Sequence, residues 1–220
     1  MEHLLEVRKR VFAELRDTKV VKALFAGTPD PAAYVRYLIT AYNYAQHSPK
    51  VMAVAAARCT DTHPELATYL LHHAIEEQGH YQWALEDLRD LNVGDAEAQA
   101  ARPVPSCTAM IGYIHYIAGY ANPVGLFGWM YVLEAVGNDL GALVAKALKD
   151  ALKLSGSGGL RFVARHGVSD TEHARELTEQ IQKHVTQDAD LKEVCYVADV
   201  VADLYVRMFR EIGKERQRWD

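Results

Sequence analysis

Long runs of alternating β-branched residues are missing from this chain, which leaves little from which to build a sheet. No apolar stretch approaches the roughly 20 residues needed to cross a bilayer. No basic segment followed by an apolar core opens the chain, as an export signal would. Basic residues are outnumbered, 24 Lys and Arg against 29 Asp and Glu, for a net charge of −5. Such a chain has no positive field to meet nucleic-acid phosphates. Cysteine is scarce, three in 220 residues, and Cys59, Cys107 and Cys195 are too far apart to form a CxxC pair. They read as thiols kept reduced inside the cell. The expectation is a cytoplasmic protein that engages neither membrane nor nucleic acid.

What is present is helical periodicity. Hydrophobic residues make up 50% of the chain, enough for a sizeable core, and they recur at three and four over long stretches. The pattern predicts seven helices, over about 2–25, 31–58 (with Pro49 marking a kink or a short interruption after His47), 64–91, 106–121, 122–154, 160–185 and 188–219. The run Ser155-Gly156-Ser157-Gly158-Gly159 is the stop of the fifth. With no repeat or linker, the reading is all-α, with residues 1–220 as one domain and a single bundle.

Three clusters on these helices carry the groups for chemistry. His166, Asp170 and His173 stand at i, i+4 and i+7, one stripe of a helix. Two imidazoles and a carboxylate on one line are a ligand set for a redox-active divalent metal. An ordinary polar face accounts for one such histidine and poorly for three groups in register. Glu77 and His80 form a Glu-x-x-His pair, the spacing that carboxylate-bridged diiron bundles use, with His73 four residues before Glu77. Alone, that pair equally describes a solvated helix face, and Glu76 points away as surface charge. Glu134 lies in an apolar stretch, where burial requires a cation or metal partner. On its face, Gly137 and Gly141 either leave room for a ligand or mark tight helix packing. His47 is a further candidate, as ligand or as a base beside the ligands, against an equal reading as a core histidine. Tyr44, Trp129, Tyr131 and Phe162 could line a pocket or simply fill the core. Arg161 and Arg165 pair with acidic neighbours or meet a substrate carboxylate. The last ligand stripe also contains a conflict. Ser169-Asp170-Thr171-Glu172 matches a capping box that would start a helix at Ser169 and leave His166 outside it.

In order, Glu77-x-x-His80, Glu134 and His166-x3-Asp170-x2-His173, separated by intervals of 54 and 32 residues, resemble the heme-oxygenase-like diiron oxidases and oxygenases. The likeness runs from the second helix to the last. It implies a seven-helix heme-oxygenase-like bundle holding two ferrous ions, with manganese as the alternative metal. The ligands it implies are Glu77, His80, Glu134, His166, Asp170 and His173, with Glu77, Glu134 and Asp170 at the catalytic centre. It further implies dioxygen as co-substrate, a homodimer, and a small substrate derived from an amino acid or fatty acid. That substrate would be cleaved, decarboxylated or N-oxygenated. The family adds a carboxylate from an earlier helix or from upstream in the third. Here His73 stands where some members place a Glu, and Asn43 or His47 occupies the earlier helix.

Other classes on the same scaffold fit less well. Thiaminase II-like hydrolases use a cysteine nucleophile in the fifth helix, and none lies between residues 122 and 154. Heme oxygenases use a proximal histidine and a glycine-rich helix; Gly137-x3-Gly141 echoes the latter but leaves Glu134 and the downstream stripe unused. Quinone-cofactor synthase-like enzymes need no metal. A non-catalytic metal- or heme-binding helical protein is the remaining class.

Gly167, Val168, Ser169 and Thr171 are mediocre helix formers, so metal binding should supply part of the folding energy of this segment. Amide exchange across 166–173 is therefore expected to slow when iron or manganese is added. Rates that are equal with and without metal would overturn that expectation.

Overall fold

The computed structural model describes residues 1–153 and 158–214, and within them every side chain except those of 168–171. Among the described residues all regular structure is helical, and no helix is long and apolar enough to cross a membrane.

Two of the long periodic stretches divide where the pattern predicts continuity, and a third takes the short interruption expected near His47, each for a local reason. The first divides at Thr18 into α1 (Glu2–Asp17) and α2 (Lys19–Phe25). The Thr18 backbone is extended, and its hydroxyl caps α2 by accepting from Val21 N–H while donating to Leu15 C=O at 2.7 Å. The second divides at Gln46–His47 into α3 (Pro31–Ala45) and α4 (Ser48–Cys59). Pro49 falls in the first turn of α4, where its missing N–H costs nothing. The third divides into α5 (Pro64–Glu76) and α6 (Tyr81–Asp90). There Gly79 takes φ +92, a conformation that an L side chain resists. Glu77 and His80 therefore end one helix and begin the next, and do not share the face of a continuous helix. The loop 92–105 contains the short α7 (Asp95–Ala100).

The remaining elements are α8 (Pro105–Gly119), a 3-10 turn (Pro123–Gly125) capped by Asn122, α9 (Leu126–Leu152), α10 (Arg161–His184) and α11 (Asp188–Ile212). The proposed stop at 155–157 and the helix end beyond 214 lie outside the described residues. α10 runs unbroken through Ser169, so the capping-box start is not used.

At 27 residues α9 is the longest element. It forms the centre of the bundle, with α10, α11 and α1 packed around it. The reason α10 lies so close is a pair of glycines. A Cβ placed on Gly141 would fall 2.6 Å from the Gly167 Cα, and one on Gly167 would fall 2.8 Å from the Ala142 nitrogen. Gly141 thus serves tight packing, and the poor helix former Gly167 is explained by contact. On the opposite side, α1 contributes buried Leu4, Val7, Val11 and Leu15 at helical spacing, and Arg8 binds Asp139 of α9 through two nitrogens.

A buried carboxylate fastens α11 to α8. Glu211 accepts from the Ser106 amide at 3.0 Å and the Ser106 hydroxyl at 2.7 Å, capping a helix that lacks its own side-chain cap. Burial opposes the charge, but these bonds and Arg207 outweigh it and hold the Glu211 carboxyl below its ordinary value. A carboxyl whose pKa is lowered on folding stabilises above its unfolded pKa and loses that contribution as pH falls through its folded value. Glu211→Gln should cost about 2 kcal/mol at pH 7. The difference from wild type should shrink in urea titrations repeated towards pH 3.

Candidate metal centre

The residues singled out in the sequence come from five helix ends and faces. α5 contributes His73 and ends at Glu77; α6 begins at His80; α9 contributes Glu134; α10 contributes His166 and His173. The fold brings their donor atoms into two groups. One atom from each of His73, Glu77, Glu134 and His173 lies within 4.8 Å of the others, and so do atoms of Glu77, His80 and His166. Glu77 belongs to both. The Asp170 side chain lies outside the described residues.

The first group is tightly interleaved. His73 Nε2 donates to Glu134 Oε1 at 3.2 Å, His173 Nδ1 lies 3.6 Å from Glu134 Oε2, and the two imidazole centroids are 4.6 Å apart. In the second, His80 Nδ1 lies 3.0 Å from Glu77 Oε1 and the His80 and His166 rings meet edge-on at 5.1 Å. His73, Glu77, His80 and Glu134 are all at most 9% exposed. Three of their neighbouring donor atoms, His80 Nδ1, Glu134 Oε2 and His173 Nδ1, are buried yet make no properly angled hydrogen bond. Such groups cost about 1–3 kcal/mol each when left unsatisfied. Lone pairs that miss one another while crowding a common point are what a metal ion would satisfy, so this donor set fits one.

The electrostatics agree. Burial works against the Glu134 carboxylate, but pairing with His173 and His73 outweighs it and holds the pKa at about 2. The same pairing overcomes burial at His173 and lifts it to about 9. Burial pulls His166 below its ordinary value. Its Nδ1 donates to Phe162 C=O at 2.8 Å, which leaves Nε2 as the lone-pair nitrogen, the usual arrangement for a ligating imidazole.

His47 does not join the cluster. The break between α3 and α4 places it against α8, where its Nδ1 meets His115 Nε2 at 2.8 Å. Asn43 is likewise excluded, bonded to Ile39 C=O of its own helix. Of the earlier candidates only His73 stands among the donors. Glu76 is exposed, as its position on the helix implied, yet its carboxylate reaches 3.7 Å from both His73 Nδ1 and His173 Nε2. It faces the cluster's outer nitrogens.

Two supporting residues escape a motif search. Trp83 stacks on His80 at 4.0 Å, with the Arg165 guanidinium 4.8 Å from its ring. Asp87 of α6 is fully buried and accepts from the Arg161 and Phe162 amides at 2.8 Å each. It caps the start of α10 at Arg161 and so sets where His166, five residues later, must stand. The available signal was a carboxylate set among the apolar positions Ala84, Leu85 and Leu88 of an amphipathic helix. Arg161 itself is spent on Glu86, Asp87 and Asp90.

Beside the donors lies a cavity of about 440 Å³ that Glu77, Glu134 and His166 border. Tyr44, Trp129 and Phe162 line it, whereas Tyr131 packs on the other side of α9, near Arg8 and Asp139.

Over residues 35–206 the sequence matches a family described as iron-containing redox enzyme. No curated protein matches it. Solved structures do. A domain of unknown function with a heme oxygenase-like fold from Shewanella denitrificans superposes with a TM-score of 0.87 at 25% identity, covering 96% of this chain and 90% of that one. A TenA homologue from Pseudomonas syringae pv. tomato gives 0.79 at 12% identity, over 96% and 91% of the two chains. Heme oxygenase-1 from the cyanobacterium Synechocystis, solved in complex with heme, gives 0.73 at 17%, over the same shares. The last two likenesses are of fold alone.

Removing the Asp87 carboxylate leaves two amides and Arg161 without their buried partner. Asp87→Ala should destabilise the protein by about 3 kcal/mol, read as a lower melting temperature. It should also reduce the rise in melting temperature on adding ferrous iron, because His166 loses its fixed position. An undiminished rise would separate Asp87 from the donor set.

Proposed function

This chain belongs to the iron-containing redox enzyme family on the heme-oxygenase-like fold, and we propose that it is a non-heme diiron oxidase or oxygenase of a small molecule. The observation that carries this reading is Glu77, which among the described residues is the one carboxylate common to two groups of largely buried donors. A shared carboxylate is how helical bundles hold two ions side by side.

In this reading His73, Glu77, Glu134 and His173 would hold one ion, while Glu77, His80 and His166 would hold the other together with Asp170, which follows His166 by four residues. Two ferrous ions so placed would supply electrons to dioxygen. The chain's own residues do the rest. Glu77, Glu134 and Asp170 offset much of the cationic charge, and four imidazoles complete the set while leaving positions open. The Glu76 carboxylate, 3.7 Å from the outer nitrogens of His73 and His173, attracts both imidazoles electrostatically and helps to orient their rings. Trp83, pressed by Arg165, keeps the His80 ring in plane. The aromatic and aliphatic cavity walls exclude bulk water from the reacting face.

A cysteine-dependent hydrolase is disfavoured by the three thiols. None lines the cavity, and burial pushes Cys59 up to about 11 and Cys107 up to about 12, the reverse of an activated nucleophile.

Metal stoichiometry tests the proposal. Loaded anaerobically with ferrous iron and desalted, the wild-type chain should retain two ions by elemental analysis. His80→Ala and His173→Ala should each retain about one, and Glu77→Ala close to none. On admitting air, the loaded wild type should consume oxygen and Glu77→Ala should not. A single ion in wild type, insensitive to Glu77, would sink the dinuclear assignment.

A further inference from the structure

The donor cluster has two faces, and only one of them borders the cavity. Glu77, Glu134 and His166 line that space, whereas His73 and His173 do not. These two imidazoles each turn one nitrogen to Glu134, at 3.2 and 3.6 Å. Their other nitrogens each lie 3.7 Å from the same oxygen, Oε2 of Glu76. The Glu76 side chain is 56% exposed, while His73 and Glu134 are 2% and 9% exposed. One side chain therefore connects solvent to the buried donors.

An ion must cross one of these faces to reach the donors. On the cavity side stand Tyr44, Trp129, Leu133 and Phe162, and taking a cation out of water against such walls is costly. The α5–α10 side offers oxygen atoms instead. Glu86, Asp87 and Asp90 are engaged by Arg161, but among the described residues no lysine or arginine pairs with Glu76; its neighbours are the two histidines. Tyr69, whose ring centroid is 5.6 Å from that of His73, keeps its hydroxyl buried and without a hydrogen-bond partner. Burial, together with the charges of Glu134, Glu176 and Glu76, pushes its pKa up, so it stands as a neutral oxygen within the field of all three. Further in, Glu134 Oε2 is buried and also lacks a partner.

We propose that Glu76 is the entry carboxylate of the centre, drawing divalent cations in between α5 and α10 and passing them by His73 and His173 to Glu134, while the cavity is left to the organic substrate. The proposal rests on reading the cluster as a metal centre. It assigns separate routes to ion and substrate.

Uptake kinetics test it apart from any turnover. Metal-free protein is mixed anaerobically with ferrous ion, and a chromogenic ferrous chelator reports the ion left free at each time. Glu76→Gln should slow uptake about 5- to 10-fold at low ionic strength, and added salt should narrow the gap. Glu76→Asp keeps the charge on a shorter stem and should recover most of the rate. Asp30→Asn removes an exposed carboxylate at the border of the cavity, keeps a residue that caps helices well, and should leave the rate unchanged. All three variants should still bind two ions at equilibrium. Uptake slowed by Asp30→Asn as much as by Glu76→Gln, or by neither, would overturn the proposal. So would faster uptake with Gln than with Asp at position 76, since that result assigns Glu76 to ring orientation alone. A wild type that binds a single ion removes the dinuclear reading but still yields an uptake rate, so the two failures are told apart.

Discussion

The arrangement at the candidate centre depends on how closely α9 approaches α10. The two helices touch backbone to backbone at Gly141 and Gly167, where even a methyl group would collide. Glu134 stands two turns before Gly141, and His166 is the immediate neighbour of Gly167. A wider separation would pull His173 from Glu134, now 3.6 Å away, and open the donor set. The low helix propensity of Gly167 is the local consequence of that global requirement, since no residue with a side chain permits the approach.

Much of this was legible in the sequence. Period-3.6 patterning identified an all-helical bundle, and the i, i+4, i+7 stripe singled out His166 and His173, which α10 brings to the donor cluster. Glu134 stood out because a lone carboxylate in an apolar stretch demands a partner, and the structure supplies His73 and His173. The misreadings have physical reasons too. Periodicity runs straight through Thr18 and Gly79, because hydrophobic spacing survives a break that redirects the axis. Ser169 to Glu172 has the composition of a helix start, but Asp87, distant in sequence, caps the helix at Arg161 instead. His47 and His73 looked equivalent on spacing. Only the turn at Gln46, which sends His47 to His115, separates them. Asp87 and Glu76 act across helices, and no local window contains both partners.

The cluster also shows how a chain stores a reactive set of groups before any ion is bound. Carboxylates and imidazoles in one buried volume compensate one another, Glu134 anionic beside a His173 that holds its proton to about pH 9. The compensation is incomplete in geometry, since several donor atoms lie near a partner without pointing at it.

The break at Thr18 separates responsibilities within the molecule. Because α2 is its own short helix, it can border the cavity with Lys19, Val20, Val21, Ala23 and Leu24 while carrying none of the donor residues. Changes in α2 would reshape the cavity wall, and changes on α5, α9 and α10 would reach the donor set itself. Seven residues along one border of the cavity can therefore vary without touching the donor set.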